Sequence, residues 1–190
     1  MTQVSTRDWQ GLTLPTPGTF VLDTAHTRVG FVARHMMVSK VRGSFLDFSG
    51  SITVAENPLD STAEATIQTG SIDTGVADRD GHLRSGDFLD TEQYPTMTFR
   101  TNKVTDHEGN SFTVLGELTI RGVTREIEMT VEFEGVSKSP WGQEVAGFTI
   151  NAEIDREEFG LTWNQALETG GVLVGKKIKI EIEGEAIRQA

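Results

Sequence analysis

The chain has 190 residues, 36% of them hydrophobic and 24% charged, with a formal net charge of −11 and no cysteine. That length suits one domain with a substantial core, and without cysteine there are no disulfides, thiol nucleophiles or thiolate metal sites. The negative charge opposes nucleic-acid binding through phosphates and general attraction to anionic surfaces, and no apolar run approaches the ~20 residues of a membrane-spanning helix.

Residues 1–18 contain Pro15, Pro17 and Gly18 and read as an irregular arm, which leaves 19–190 as the domain. The arm has no apolar stretch of secretory length and carries Asp8, so a cytoplasmic location is expected. From Phe20 onward, segments of period-two alternation recur: VGFVARH, LDFSGSITV, AEATIQTGSI, TMTFRTNKV and SFTVLGELTI. The clearest is REIEMTVEFEG, in which Ile127, Met129, Val131 and Phe133 alternate with Glu126, Glu128, Thr130, Glu132 and Glu134. EVAGFTINAEI and VGKKIKIEIEGEA continue the pattern, giving about eight strands.

Short turn signals at EGNS, IRGVT and SKSPWGQ suit antiparallel hairpins. With too little helix to cover it, the apolar face must pack on itself as a sandwich or a closed barrel. Periodicity alone leaves that choice open. It also leaves open whether Phe31, Phe48, Phe99, Met129, Phe133, Phe148 and Ile180 fill a core or line a lumen.

The segment GVADRDGHLRSGDFLDTEQYP, residues 75–95, breaks the pattern. A calcium loop with Gly81 in sixth place would begin at Val76 and end at Asp87, where an acid and a bidentate Glu are required. His26, His35, His82 and His107 form no metal-ligating spacing. The nucleophile elbow and both glycine-rich phosphate motifs are absent, so no motif names a reaction. Asp80 and Arg84 have the i, i+4 spacing of a helical ion pair, and Gly81 and Gly86 limit the segment to a short helical link. With Leu83 and Phe88 turned inward, that link would close a barrel end and leave Arg79, His82 and Arg84 at its rim.

LDTAHTRVGFVARHMMVSKVRGSF, GSIDTGVADRDGHLRSGDFLDTEQYPTMTF, GELTIRGVTREIEMTVEFEG and IDREEFGL, in that order, resemble the YceI-like family of polyisoprenoid-binding proteins over residues 19 to 188. The resemblance implies an all-β fold: a lipocalin-like, eight-stranded antiparallel barrel around an apolar tunnel for an isoprenoid chain. It also implies a non-catalytic carrier, often homodimeric. No cofactor or metal is implied; a bound isoprenoid or other long-chain lipid is expected, with no nucleic acid and no stable membrane insertion.

The tunnel would then be lined by Phe31, Phe48, Ile67, Leu83, Phe88, Phe99 and Leu118, with Met129, Phe133, Phe148, Phe159, Trp163 and Ile180. The family's polar signature falls on His26, Arg79, Asp80, His82, Arg84 and Arg156, either at the rim or holding the corner, with Arg79 or Arg156 paired to buried acids. Two other readings stand beside the carrier. One is an enzyme acting on a lipid-like substrate in the same cavity with His82 or His26 as base. The other is a filled barrel that binds a protein through its acidic face.

Overall fold

The computed structural model describes residues 4–190. In chain order its strands are β1 (Thr6–Trp9), β2 (Leu12–Pro15), β3 (Gly18–Leu22), β4 (Arg28–His35), β5 (Ser39–Phe45), β6 (Phe48–Val54), β7 (Thr62–Gln68) and β8 (Ile72–Asp73). Helix α1 (Ala77–Arg84) follows, then the longer β9 (Thr96–Glu108), β10 (Ser111–Ile120), β11 (Val123–Lys138), β12 (Glu144–Asp155) and β13 (Val174–Arg188). Hydrogen bonding runs β12-β11-β10-β9-β7-β6-β3-β13, and β13 pairs back onto β12 from Val145↔Ile187 to Asp155↔Lys177. These eight strands form a closed antiparallel barrel, which removes the open sheet edges that a sandwich would leave.

Closure depends on local departures from regular pairing. Register shifts opposite Thr113–Val114 and Leu115–Gly116 leave Thr105 and Asn102 as extra residues on β9, and one between Phe133 and Gly135 leaves Glu134 extra on β11, which bends β9 and β11. β13 is long enough to meet β3 at Ala186–Arg188 and β4 at Ile178–Glu183, so β3 and β4 act as one strand broken between them. At the break the Thr27 hydroxyl donates to the Glu185 carbonyl and accepts from the Glu185 N–H, both at 3.2 Å. Its side chain fills the space a Cβ on Gly184 would need. β4 continues into β5, and β5 pairs with β8 at Ser44↔Asp73 and Phe45↔Ile72, which delivers the chain to α1.

The irregular arm read from the sequence is corrected for Thr6 to Pro15, which form a hairpin from Thr6↔Pro15 to Trp9↔Leu12. Its two-residue turn, Gln10 and Gly11, has φ of 52° and 82°, the double left-handed geometry that matches strand twist. Leu14 is buried, and Trp9 packs on His107 and Phe112 with centroids 4.5 and 6.3 Å away. The arm's first residues, 1–3, lie outside the described residues.

Candidate functional site: an apolar cavity along the barrel

The inward residues of the strands enclose a cavity of about 410 Å³. At one end it is bounded by Leu83, Phe88 and Leu89 after and within α1, and by Phe159 and Leu161 beyond β12. At the other it reaches Leu14 and Pro15 of the N-terminal hairpin, with Phe20, Val54 and Pro58. β13 spans both ends: Gly175 accepts from Arg156 at the α1 end, and Arg188 donates to the carbonyls of Thr16 and Pro17 at the hairpin end. The side chains along the wall are almost entirely apolar, because each strand sends alternate residues inward.

The structure brings Phe31, Phe48, Ile67, Leu83, Phe88, Phe99, Leu118, Met129, Phe133, Phe148, Phe159 and Ile180 to this lining. Trp163 is not among the lining residues. It sits behind Phe88, with ring centroids 5.3 Å apart, and packs edge-on to His82 at 4.6 Å. The chain after Phe159 carries Trp163 out toward the corner rather than along a strand, so strand alternation does not govern it.

Two buried positions in the wall behind the lining carry no side chain of their own, and the pattern of large residues does not reveal them. A Cβ at Gly43 would overlap the Phe31 ring, and one at Gly116 would overlap the Phe99 ring and approach the Arg100 carbonyl at 2.7 Å. These glycines let two rings lie flat against the wall instead of standing in the lumen. A glycine interrupting a strand pattern, as in KVRGSF and VLGEL, is the available sequence signal for such close approach.

The charged corner is bonded to its own loops and does not line the cavity. α1 has no side-chain cap at Val76. Asp80, buried, accepts instead from the Thr74 N–H at 2.8 Å and the Thr74 hydroxyl at 2.6 Å. That hydroxyl accepts in turn from Arg79 Nε at 2.7 Å, while a second Arg79 nitrogen donates to the Thr74 carbonyl. Arg84 donates to the carbonyls of Gly70 and Ile72, both at 2.9 Å. The expected Asp80–Arg84 helical pair therefore does not form: both side chains serve backbone groups left over where β8 ends. His82 bonds Asp87 at 2.8 Å, half-exposed.

His26 also lies away from the lining, in the break between β3 and β4. Its Nδ1 is 2.8 Å from Asp23 Oδ2. The hydrogen bond to Asp23, followed by the charges of Asp23 and Glu185, raises the imidazole above its ordinary pKa, and the same bond holds the Asp23 carboxyl below the usual carboxylate range. Asp23, His26 and Glu185 could each offer one ligand atom within 4.8 Å of the others. This grouping is on the barrel exterior, and its Asp–His pair is already satisfied internally.

Arg156 is the exception among the signature residues, because it is both buried and part of the cavity lining. Its Nε donates to Gly175 at 2.9 Å, and its terminal nitrogens donate to Leu161, Trp163 and Val174 at 2.7, 3.0 and 3.3 Å. Burial pushes its pKa down against the opposing pull of Glu157 and Asp155. Neither Arg156 nor Arg79 pairs with a buried acid: backbone carbonyls, and for Arg79 a hydroxyl, accept their hydrogen bonds.

Comparison with known proteins accounts for this arrangement of barrel, corner and cavity. A family model described as a YceI-like domain matches residues 20–186. The chain belongs to the YceI-like family. A UPF0312 protein of Staphylococcus epidermidis is 46% identical over 168 residues, covering 87% of this chain and 95% of that protein. The crystal structure of a YceI protein from Campylobacter jejuni is 33% identical with a TM-score of 0.71, covering 89% of this chain and 97% of that one. A polyisoprenoid-binding domain from Saccharophagus degradans shares the fold at 16% identity, with a TM-score of 0.67 over 91% of this chain and 99% of that domain. The YceI-like match begins at Phe20, so the β1–β2 hairpin against the cavity end lies outside it.

Proposed function

We propose that this YceI-like protein is a non-catalytic carrier that holds the tail of a long isoprenoid lipid, such as a polyprenyl phosphate or a quinone, in its barrel. The observation that carries this reading is the continuous apolar cavity of about 410 Å³ reaching from α1 to the N-terminal hairpin. Each methylene moved from water into such a wall contributes about 0.8 kcal/mol, so part of a tail supplies micromolar affinity after the costs of association. The relationship to a domain described as polyisoprenoid-binding supports the ligand class. Arg156, a buried cation in the lining with no direct ion pair, lies at the α1 end, which favours a tail whose head is anionic.

The filled-barrel reading loses its basis with the cavity, and the enzyme reading loses its proposed bases, since neither His26 nor His82 lines it. The test is native mass spectrometry of protein purified without detergent, followed by lipid extraction and titration with a fluorescent isoprenoid. Co-purified or titratable isoprenoid is expected. Protein that yields no lipid and binds no isoprenoid would refute the carrier reading.

A further inference from the structure

The tip of the β4–β5 hairpin combines three features that the barrel itself does not require. Met36, Met37 and Val38 are 43%, 57% and 80% exposed, an apolar run at the outermost point of a hairpin. Met36 and Met37 have φ of 50° and 63°, and Val38 N–H bonds the His35 carbonyl at 3.2 Å, so they occupy the two central positions of a turn that favours Asn-Gly. Two bulky side chains are held in the left-handed region where neither backbone preference nor contact with water recommends them.

Below the tip, Arg34 stands directly opposite Lys40 across the strand pair, a like-charge juxtaposition that opposes pairing. Lys177 and Lys179 are exposed on the adjacent β13, but each stands directly across from an acid of β12, Asp155 and Glu153 respectively. Among the described residues Arg34 and Lys40 have neither an ion pair nor an acid directly opposite, whereas the neighbouring Arg42 and Lys176 are paired with Glu181 and Glu157. Apolar residues at a protruding tip with unpaired cations behind them match a bilayer surface, oily below and phosphate-bearing above.

We propose that this hairpin docks the protein reversibly on an anionic lipid bilayer, with Met36, Met37 and Val38 entering the interface and Arg34 and Lys40 meeting lipid phosphates. The net charge of −11 does not prevent it. At physiological ionic strength charges act over about 8 Å; Glu153 and Asp155 on β12 are offset by Lys179 and Lys177 directly opposite them, and the acidic row of Glu126, Glu128, Glu132 and Glu134 is on β11, two strands around the ring from β13. The tip also adjoins the cavity: Met36 N–H bonds the Leu173 carbonyl at 2.8 Å, and Ala33 and Val174 are lining residues. Docking would thus bring the α1 end of the cavity to the membrane. A second copy of the chain suits the tip less well, since an isologous contact would press the same unpaired cations together.

The test is co-sedimentation of the full chain with vesicles of phosphatidylcholine alone or mixed with phosphatidylglycerol. Binding to the anionic vesicles is expected, weakening as salt rises. Met36→Asn with Met37→Gly is expected to reduce it by about tenfold or more without lowering the unfolding temperature, because the turn gains its preferred residues. Arg34→Gln with Lys40→Gln is expected to weaken binding and flatten its salt dependence.

Absence of binding by the wild type, or binding indifferent to both double variants, would overturn the proposal. So would a dimer in sedimentation analysis that the methionine double variant dissociates, without vesicle binding, which would assign the tip to a second copy. Titration of that double variant with a fluorescent isoprenoid reads the cavity separately. Unchanged titration leaves the carrier reading intact whichever way the vesicles behave.

Discussion

A guanidinium buried beside an apolar cavity is costly unless its N–H groups find acceptors, and Arg156 finds four carbonyls from two chain segments, 161–163 and 174–175. Arg156→Met therefore removes the bonds that fasten the turn after β12 to the start of β13, and is expected to destabilise the fold by about 3 kcal/mol in chemical denaturation. Arg156→Lys restores charge but not the planar fork, so it should recover only part of that loss. A variant as stable as the wild type would show that the carbonyls are satisfied without it. His26 offers a pH test with a defined sign. Its pKa is raised by Asp23, so its contribution is complete below about 6.5, the ordinary value, and fades as pH rises through the folded-state value. The Asp23 pKa is lowered, so its contribution is present above about 3.9 and is lost as pH falls. The difference in unfolding temperature between wild type and His26→Gln is expected to be largest near pH 5 and to shrink toward pH 8; a difference constant across that range would show that the pair does not titrate with folding.

Around α1 the sequence discloses the element but not its bonds. The two glycines and the i, i+4 charges correctly suggest a short helix, while its partners lie ahead of it in β8 and on either side of that strand: Gly70, Ile72 and Thr74. Such side-chain to backbone bonds leave no periodic trace, which is why an Asp80–Arg84 pair looks sufficient from sequence alone. Asp80→Ala leaves the Thr74 N–H without its buried acceptor and is expected to cost about 1–3 kcal/mol, with faster amide exchange across 74–84 than across the barrel strands. Protection equal to that of the strands would mean the corner is held mainly by Leu83 and Phe88. The long strands were legible because one face is oily and the other charged, as in β11. β1 and β2 were not, since four-residue strands flanked by prolines have too few alternations to register, and their hairpin depends on Trp9 meeting His107 and Phe112, nearly a hundred residues away.

Eight alternating strands allow either a filled barrel or one that holds a ligand, so the sequence alone could not supply the cavity. Large residues face inward in both cases. What opens the interior is the distribution of small ones: Ala33, Ala63, Ala65 and Ala146 are lining residues, and Gly43 and Gly116 let Phe31 and Phe99 lie against the wall. Ala65 sits in register with Phe99, on β7 opposite β9, so a ring there would project into the lumen between the two ends. Ala65→Phe adds apolar contacts inside a cavity with room for them, and should cost no more than about 1–3 kcal/mol of stability. Its effect on a carrier would depend on ligand length. A tail long enough to pass the obstruction must leave part of itself in water, losing about 0.8 kcal/mol for each methylene excluded, whereas a tail confined to one end loses little. Titration of wild type and Ala65→Phe with isoprenoids of two lengths is expected to show at least about a tenfold loss for the long tail and a much smaller one for the short. Equal losses would mean that the tail does not run past Ala65, and that the space between α1 and the N-terminal hairpin is not used as one continuous site.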